Sequence, residues 1–207
     1  MTNLLLHKIR KTQHETAKSL MQSGNTIDAL ISFKKNLKEN GEHIFLLVDI
    51  AACYYTLQDH IQFKDWALKA YSKFLEFNSI FSKETYLRSS IAIGRFLEEL
   101  GNFDQAIKIY DDCLNNDFDH QLKLLGKLYA QGLRVKSFIG DQENFYDFYN
   151  ACKLKINTLD EQTNIQNVTE IYHSLMMADL YIGNISLAYS WLKKAISCNI
   201  NKYERNW

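Results

Sequence analysis

A short pattern of small, aromatic and leucine residues recurs along the whole chain, and it restricts the possible folds more than any other feature. Ala29, Phe33 and Leu37 follow one another at steps of four residues. Residues four apart lie on the same face of an α-helix, so the pattern indicates a helix that packs along one side. The first position of the pattern recurs, at intervals of 38, 39, 39 and 43 residues, at Ala67, Ala106, Phe145 and Ala188. Five similar units are therefore predicted to fill the chain.

A short turn precedes each of these helices and separates it from a second amphipathic stretch upstream. Glycine or asparagine after a helix tolerates the left-handed conformation that ends it, and the next polar residue can cap the following helix. The five turns are Gly24-Asn25, Gln58-Asp59, Gly101-Asn102, Gly140-Asp141 and Gly183-Asn184. Each unit is thus predicted to be a hairpin of two helices, which makes about ten helices in all.

The 207 residues contain no proline, although a chain of this length ordinarily has about ten. Its absence argues against proline-rich linkers and turn-dense β folds, and it favours long uninterrupted helices. Hydrophobic residues make up 46% of the chain, which is enough for a continuous core. Composition and periodicity together predict an all-α fold.

The third unit resembles the tetratricopeptide repeat (TPR). Gly94, Leu97, Gly101, Ala106 and Tyr110 stand at the spacing of that family. The resemblance implies a right-handed superhelix, or α-solenoid, of about five antiparallel helix hairpins. It also implies a single domain over residues 1–207, with units at about 3–40, 41–78, 80–116, 118–157 and 160–198 and a C-terminal tail at 199–207.

The units depart from the family pattern in three ways. They are 38 to 43 residues long, whereas the TPR unit has about 34 residues and ends in a proline that is absent here. The second unit is interpreted as carrying about four extra residues around His60 to Phe63. The fourth has Phe145 where alanine is typical, and its match to the family is poor. Longer helices and an irregular local twist are expected.

The reactive residue types form no pattern that indicates chemistry. The cysteines at positions 53, 113, 152 and 198 are far apart and are expected to be buried free thiols. No histidine pair has the spacing of a helical metal site, and no nucleophile or phosphate-binding motif occurs. The chain is therefore predicted not to be an enzyme, with no catalytic residue, metal or cofactor.

Charge and hydropathy restrict the compartment in which the protein is expected and the class of partner that it is expected to bind. The chain has 24 basic and 24 acidic residues, and this neutral total weakens the case for a nucleic-acid partner. Neither a signal-peptide core nor a membrane span is visible, so a cytoplasmic protein is expected. Ile200, Tyr203 and Trp207 in the tail have helical spacing and could cap the last unit or dock on a second protomer. A homo-oligomer through the C-terminal end is therefore possible.

The TPR resemblance implies that the first helix of each hairpin lines a concave groove, where a protein or peptide segment would bind. The predicted partner-binding residues combine aromatic, apolar and charged side chains, a composition typical of interaction surfaces. They are Lys11, His14, Lys18, Phe45, Val48, Asp49, Tyr55, Arg88, Ile91, Arg95, Glu98, Tyr172, Met176 and Asp179.

The sequence thus predicts a non-enzymatic scaffold or adaptor that binds a peptide segment of a partner in this groove. The family's clamp for a terminal carboxylate is not reproduced, because Lys18, Asp49 and Ala92 replace the residues that form it. One alternative is a peptide- or ligand-responsive regulator similar to bacterial pheromone receptors, although no output domain is recognisable. The other alternative is a chaperone for a secreted client.

Overall fold

The computed structural model describes residues 2–114, 122–140, 142–156 and 165–204, and within these ranges the regular structure is helical. The predicted all-α fold of five helix hairpins is confirmed. The ten described α-helices are α1 (Thr2–Gln22), α2 (Thr26–Asn40), α3 (Ile44–Thr56), α4 (His60–Phe77), α5 (Lys83–Glu99), α6 (Phe103–Leu114), α7 (Leu122–Ile139), α8 (Gln142–Ile156), α9 (Ile165–Tyr181) and α10 (Ile185–Glu204). A single 3-10 turn, Asn78–Ile80, follows α4.

The helices form two compact units, an N-terminal unit (Met1–Phe81) and a C-terminal unit (Ser82–Trp207). In the N-terminal unit, α1 pairs with α2 and α3 with α4, and both α1 and α2 contact α3. In the C-terminal unit, α5 pairs with α6, α7 with α8 and α9 with α10. The hairpins of this unit stack because α7 contacts α5, α6 and α9. The single-domain organisation stays a prediction.

The small and aromatic residues of the recurring pattern lie in the core. Ala29 and Phe33 are buried in α2, and Ala106 and Tyr110 are buried in α6. Gly94 allows α5 and α6 to pack closely, because a methyl group at that position would overlap the ring of Tyr110. The helices approach one another where the side chain is smallest, as packing at native density requires.

A second glycine has the same role in the fourth hairpin. A methyl group on Gly132 in α7 would overlap the ring of Phe148 in α8. Lys136, one turn further along α7, is buried, and its Nζ lies 2.9 Å from Asp111 Oδ1 on α6. A buried ammonium is tolerated only when it is paired, so this ion pair fixes α7 against the preceding hairpin.

The hairpin turns have the predicted left-handed residue. The backbone φ angle is positive at Gly24, Gly101, Gly140 and Gly183, with values from 72° to 87°. In the second hairpin the corresponding residue is Gln58, with φ of 59°. A side chain at a left-handed position costs about 1–2 kcal/mol, so this turn is held in place by the packing on either side of it.

The interpretation of four extra residues around His60 to Phe63 is wrong. Helix α3 ends at Thr56 and α4 begins at His60, so this turn is as long as the turn between Gln22 and Thr26. Phe63, the fourth residue of α4, is buried at the position that Ala29 occupies in α2, and Ala67 lies one turn later. The large and the small residue of the pattern have thus exchanged positions in α4. In the sequence, this exchange moves the alanine one helical turn later and so resembles an insertion of four residues.

The segment that sequence analysis separated as a tail begins inside a helix. Helix α10 continues without a break to Glu204, and residues 205–207 lie outside the described residues. All four cysteines are buried and free, as predicted. None of the helices in the described part of the chain is long and apolar enough to cross a bilayer.

Candidate functional site

Helix α5 carries an exposed row of residues along one face, here called the α5 row. Its members are spaced at alternating steps of four and three, which keeps them on one side of the helix. They are Glu84, Arg88, Ile91, Arg95 and Glu98. Arg88 and Arg95 are exposed, and a guanidinium nitrogen of Arg88 lies 2.7 Å from Glu84 Oε1. The four of these residues that sequence analysis selected, Arg88, Ile91, Arg95 and Glu98, thus lie on one face of one helix.

Glu98 is the buried end of the α5 row, so its assignment as a partner contact is corrected. Tyr110 Oη donates a hydrogen bond of 2.5 Å to Glu98 Oε1, and the Arg134 guanidinium of α7 pairs with the other carboxylate oxygen. The Glu98 side chain is only 8% exposed. Its burial raises the pKa of Glu98, and the Tyr110 hydrogen bond and the charge of Arg134 act in the opposite direction. Burial, followed by the charge of Glu98, raises the pKa of Tyr110.

A second row, the α7 row, lies on the neighbouring hairpin and was missed by sequence analysis. It consists of Lys127, Gln131, Arg134 and Phe138, at steps of four, three and four. Arg134 joins it to the α5 row through Glu98, and Gln131 lies 3.1 Å from Tyr110 Oη. Gln131 presents Oε1 to this hydroxyl, and the single Tyr110 proton can be donated either to Glu98 at 2.5 Å or to Gln131 at 3.1 Å. The regular spacing of these four residues is the signal that could have identified the row.

A third row, the α9 row, is more apolar. It contains His173, Met176 and Leu180; His173 is exposed, Met176 is half-buried and Leu180 is 48% exposed. The position of Met176 is compatible with partner binding, which stays a prediction, whereas the assignment of the other two predicted residues of this helix is corrected. Tyr172 and Asp179 are 1% and 0% exposed and belong to the core. Both side chains point into the C-terminal unit beside the α9 row, where they contact Trp191 and Tyr149, so neither is exposed to a partner.

The buried Asp179 carboxylate joins three helices of the C-terminal unit. Tyr149 Oη of α8 donates to Asp179 Oδ2 at 2.7 Å, and Trp191 Nε1 of α10 donates to the same oxygen at 2.8 Å. Asn184 Nδ2 donates to Oδ1 at 3.3 Å. The Tyr172 ring stacks on Trp191 at a centroid distance of 5.7 Å. A buried carboxylate needs such donors, which makes this cluster a structural anchor.

The predicted residues of the N-terminal unit surround another carboxylate, Asp49 of α3. His14 Nε2 and Lys18 Nζ of α1 lie 2.9 Å and 3.9 Å from Asp49 Oδ2. Oδ2 accepts no hydrogen bond within the described residues, so these contacts are electrostatic, and the His14 contact is an ion pair only when the imidazole is protonated. His43 lies nearby, and burial, followed by the charge of His14, lowers the pKa of His43.

The other predicted residues of this unit are divided between surface and core. Phe45 is half-buried and Tyr55 is 40% exposed, so both can contact a partner. Val48 is buried among the residues of α3 that face the core, and its assignment to the groove is corrected. The side chain of Lys11 lies outside the described residues. Asp49 already contacts His14 and Lys18 of α1, so its carboxylate is occupied within the unit.

The cysteines of the chain are buried, away from this surface. Within the described residues, no three histidine, cysteine, aspartate or glutamate side chains come together as metal ligands. Burial raises the pKa of Cys53 to about 11 and that of Cys113 to about 12, which leaves both sulfurs protonated and unreactive at neutral pH. Arginine, methionine and aromatic side chains remain on the rows, and these are the types that contribute most to interfaces.

Solved structures with the same fold were identified by comparison of coordinates. A putative kinesin light chain from Podosopora anserina, with nearly identical TPR-like repeats, aligns with a TM-score of 0.69 at 13% identity, over 93% of this chain and 95% of its own. BtubC from P. vanneervenii aligns with a TM-score of 0.70 at 12% identity, over 90% of this chain and 78% of its own.

A further structure, NprR in complex with its cognate peptide NprX, aligns with a TM-score of 0.54 at 17% identity, over 94% of this chain and 56% of its own. No protein-family model matches the sequence, and neither does any curated protein. The comparisons confirm the predicted TPR-like helical-repeat fold.

Proposed function

We propose that the chain is a non-enzymatic scaffold that binds a peptide segment of another protein along the α5, α7 and α9 rows. The observation that carries the proposal is the arrangement of these rows on consecutive first helices of the C-terminal unit. Arg134 connects the first two rows through Glu98, and α7 packs directly on α9. Three adjacent rows provide a surface wide enough for an extended segment or a short helix.

The charge of the rows indicates the chemistry of the segment. The α5 and α7 rows carry four cations at positions 88, 95, 127 and 134, against the two carboxylates of Glu84 and Glu98. Glu84 pairs with Arg88 and Glu98 pairs with Arg134, so Arg95 and Lys127 leave the two rows with a net positive charge. Met176 and Leu180 extend the surface with apolar side chains. The best-fitting segment has acidic residues at one end and an apolar anchor at the other.

A random-peptide display selection on the purified chain tests the proposal. Selected peptides are expected to combine acidic and apolar residues and to lose at least about tenfold in affinity for an Arg88→Glu/Arg95→Glu variant, since both charges would then repel the segment. Lys108→Glu, a charge reversal at an exposed position of α6, is the matched control and should bind normally. Equal binding by all three proteins, or selection of peptides without acidic residues, would overturn the proposal.

A second function, a regulator that responds to a peptide, is supported by the likeness to NprR in complex with NprX. It differs from a passive scaffold because ligand binding would change the conformation that a downstream partner recognises. Small-angle scattering with and without a selected peptide separates the two. A change in the radius of gyration favours the regulator, and an unchanged radius favours the scaffold.

A further inference from the structure

A series of contacts leads from the core of the C-terminal unit to the arginine of the α7 row. Tyr110 is completely buried in α6, and its ring fills the space that a side chain on Gly94 would need. Its hydroxyl lies 2.5 Å from Glu98 Oε1, at the buried end of the α5 row. The other Glu98 oxygen pairs with the guanidinium of Arg134, whose side chain is 57% exposed. The position of a surface arginine is thus set by contacts that begin in the core.

Arg95 is the second cation beside Glu98. It precedes Glu98 by three residues on α5, and side chains at this spacing are neighbours on the surface of a helix. Burial raises the pKa of Glu98, whereas the Tyr110 hydrogen bond and the charges of Arg134 and Arg95 act in the opposite direction. Both guanidinium groups therefore act on the same carboxylate. In the part of the chain that the structure describes, no carboxylate is in ion-pair contact with the exposed Arg95.

The charges of this group do not cancel. Arg95 and Arg134 provide two positive charges, and the buried Glu98 provides one negative charge. Glu98 contacts one terminal nitrogen of Arg134, Nη2, so the described contacts leave the other N–H groups of that guanidinium unused. Glu99, the next carboxylate along α5, is exposed to water and lies about 100° further around the helix than Glu98. One further negative charge would balance the two arginines.

We propose that Glu98, held in place by Tyr110, positions Arg134 beside Arg95, and that the two arginines together bind one carboxylate of the segment. The carboxylate belongs to the segment that this site binds, so the inference rests on the proposed function. A carboxylate has the single negative charge that the group lacks, whereas a phosphate group carries about −1.5 to −2.

The ion pair with Glu98 prepares Arg134 for this role. A long side chain that is already held in one position loses less freedom when it binds, so the paired Arg134 binds an anion more tightly than a mobile one would. The negative charge of Glu98 opposes this gain only weakly, because the Arg134 guanidinium already neutralises it. Glu98 is therefore a positioning residue that acts through Arg134.

NMR titration of the full chain with small carboxylates at constant ionic strength tests carboxylate binding without a peptide. The carboxylate of N-acetylglycine represents a chain terminus, and that of N-acetylglutamate α-amide represents a side chain. The Nε–H signals of Arg95 and Arg134 are expected to shift together and to saturate with one dissociation constant, on the order of ten millimolar. Saturation with either probe supports the inference, and the tighter probe identifies the source of the carboxylate. Arg88, which pairs with Glu84, is the control and should not saturate with them.

Glu98→Gln tests the positioning role, because glutamine keeps the shape of the side chain and loses its charge. It should raise this dissociation constant about fivefold. Tyr110→Phe, which keeps the ring against Gly94, should raise it less. Glu84→Gln, a change at the exposed carboxylate of the same row, is the matched control and should leave it unchanged. In an Arg134→Gln background, Glu98→Gln should cause no further weakening, whereas a purely structural role would weaken binding in both backgrounds.

Several results would overturn the inference. Linear shifts of both arginine signals without saturation would exclude the carboxylate site, and an unchanged dissociation constant in Glu98→Gln would exclude the positioning role. Tighter binding by Glu98→Gln would also overturn it, because Glu98 would then compete with the ligand for Arg134. Saturation by the small carboxylates without selection of acidic peptides would refute the proposed function alone. Selection of acidic peptides without saturation would refute the carboxylate site alone.

Discussion

Two aspartates hold the first helix of a hairpin to its neighbours, one in each unit, and they do so by different means. Asp49 of the N-terminal unit is 17% exposed and is paired with His14 and Lys18 of α1. Asp179 of the C-terminal unit is completely buried and accepts hydrogen bonds from the neutral donors of Tyr149 and Trp191. The same residue type thus acts through charge in one unit and through hydrogen bonds in the other.

The difference has an energetic consequence. A partly exposed ion pair contributes about 0–1 kcal/mol, because water and salt screen it. A buried carboxylate that satisfies several donors is coupled to all of them, and its removal leaves each donor without a partner. The C-terminal unit should therefore be the more sensitive to single substitutions, and the N-terminal unit the more sensitive to pH.

The largest effect is expected for Asp179→Ala. The substitution leaves the Tyr149 hydroxyl and the Trp191 indole N–H buried without their acceptor, so the free energy of unfolding should fall by about 3–5 kcal/mol. Urea denaturation measures this change. Asp147→Ala, an exposed position on α8, is the control and should change stability by less than about 0.5 kcal/mol. Equal losses in the two variants would mean that the buried cluster does not stabilise the unit.

Close approach between helices gives a second contrast. In the described helices of the N-terminal unit no glycine occurs, whereas Gly94 and Gly132 lie inside α5 and α7 of the C-terminal unit. Gly132→Ala should lower the free energy of unfolding by about 1–3 kcal/mol, because the Phe148 ring must move. A stabilised variant in thermal denaturation would contradict the observed packing. Glycine-to-alanine substitution otherwise stabilises a helix by about 1 kcal/mol.

The turn at Gln58 offers a gain in stability within the N-terminal unit. Gln58→Gly removes the strain of a left-handed side chain and should raise the free energy of unfolding by about 1 kcal/mol. The reciprocal variant, Gly101→Gln, should lower it by a similar amount. Both are measured by urea denaturation. A loss of stability in both variants would show that the Gln58 side chain makes a contribution larger than its backbone strain.

The smallest effect concerns pH. Burial lowers the pKa of His43 in the folded chain, so the unfolded chain binds a proton more readily. This contribution to stability is present above the ordinary pKa of about 6.5 and is lost as pH falls below it. His43→Gln should therefore lose less in melting temperature than the wild type between about pH 7.5 and about pH 5.5. An equal decrease in the melting temperature of both proteins would mean that His43 does not cause the pH dependence.

The sequence predicts the helices and joints of this fold well because their signals are local. The spacing from Ala29 to Phe33 and the glycine at position 101 each depend on one helix or one turn. The functional rows depend on how each helix is rotated about its axis, and that rotation is set by tertiary packing. Tyr172 and Met176 illustrate this, since they are four residues apart in α9 and yet the first is core and the second is half-buried.

The α7 row was missed for a related reason. Phe145 replaces the usual alanine, so the fourth hairpin could not be aligned with the others, and Arg134 and Phe138 were not assigned to a face. The exchange of size between Phe63 and Ala67 misled the alignment in the same way. In α4 the total volume over the two turns is kept, whereas the residue at each position is not.

The tyrosine contacts make the hairpins of the C-terminal unit non-interchangeable. Tyr110 and Tyr149 are each the eighth residue of a second helix, and each reaches an acceptor or amide on the following hairpin, Gln131 for one and Asp179 for the other. Each tyrosine therefore fits only the hairpin that follows it. Duplication, deletion or shuffling of a hairpin would bring a tyrosine against a hairpin that lacks its hydrogen-bond partner. Evolution can therefore lengthen or shorten this array only by changing both sides of a junction together.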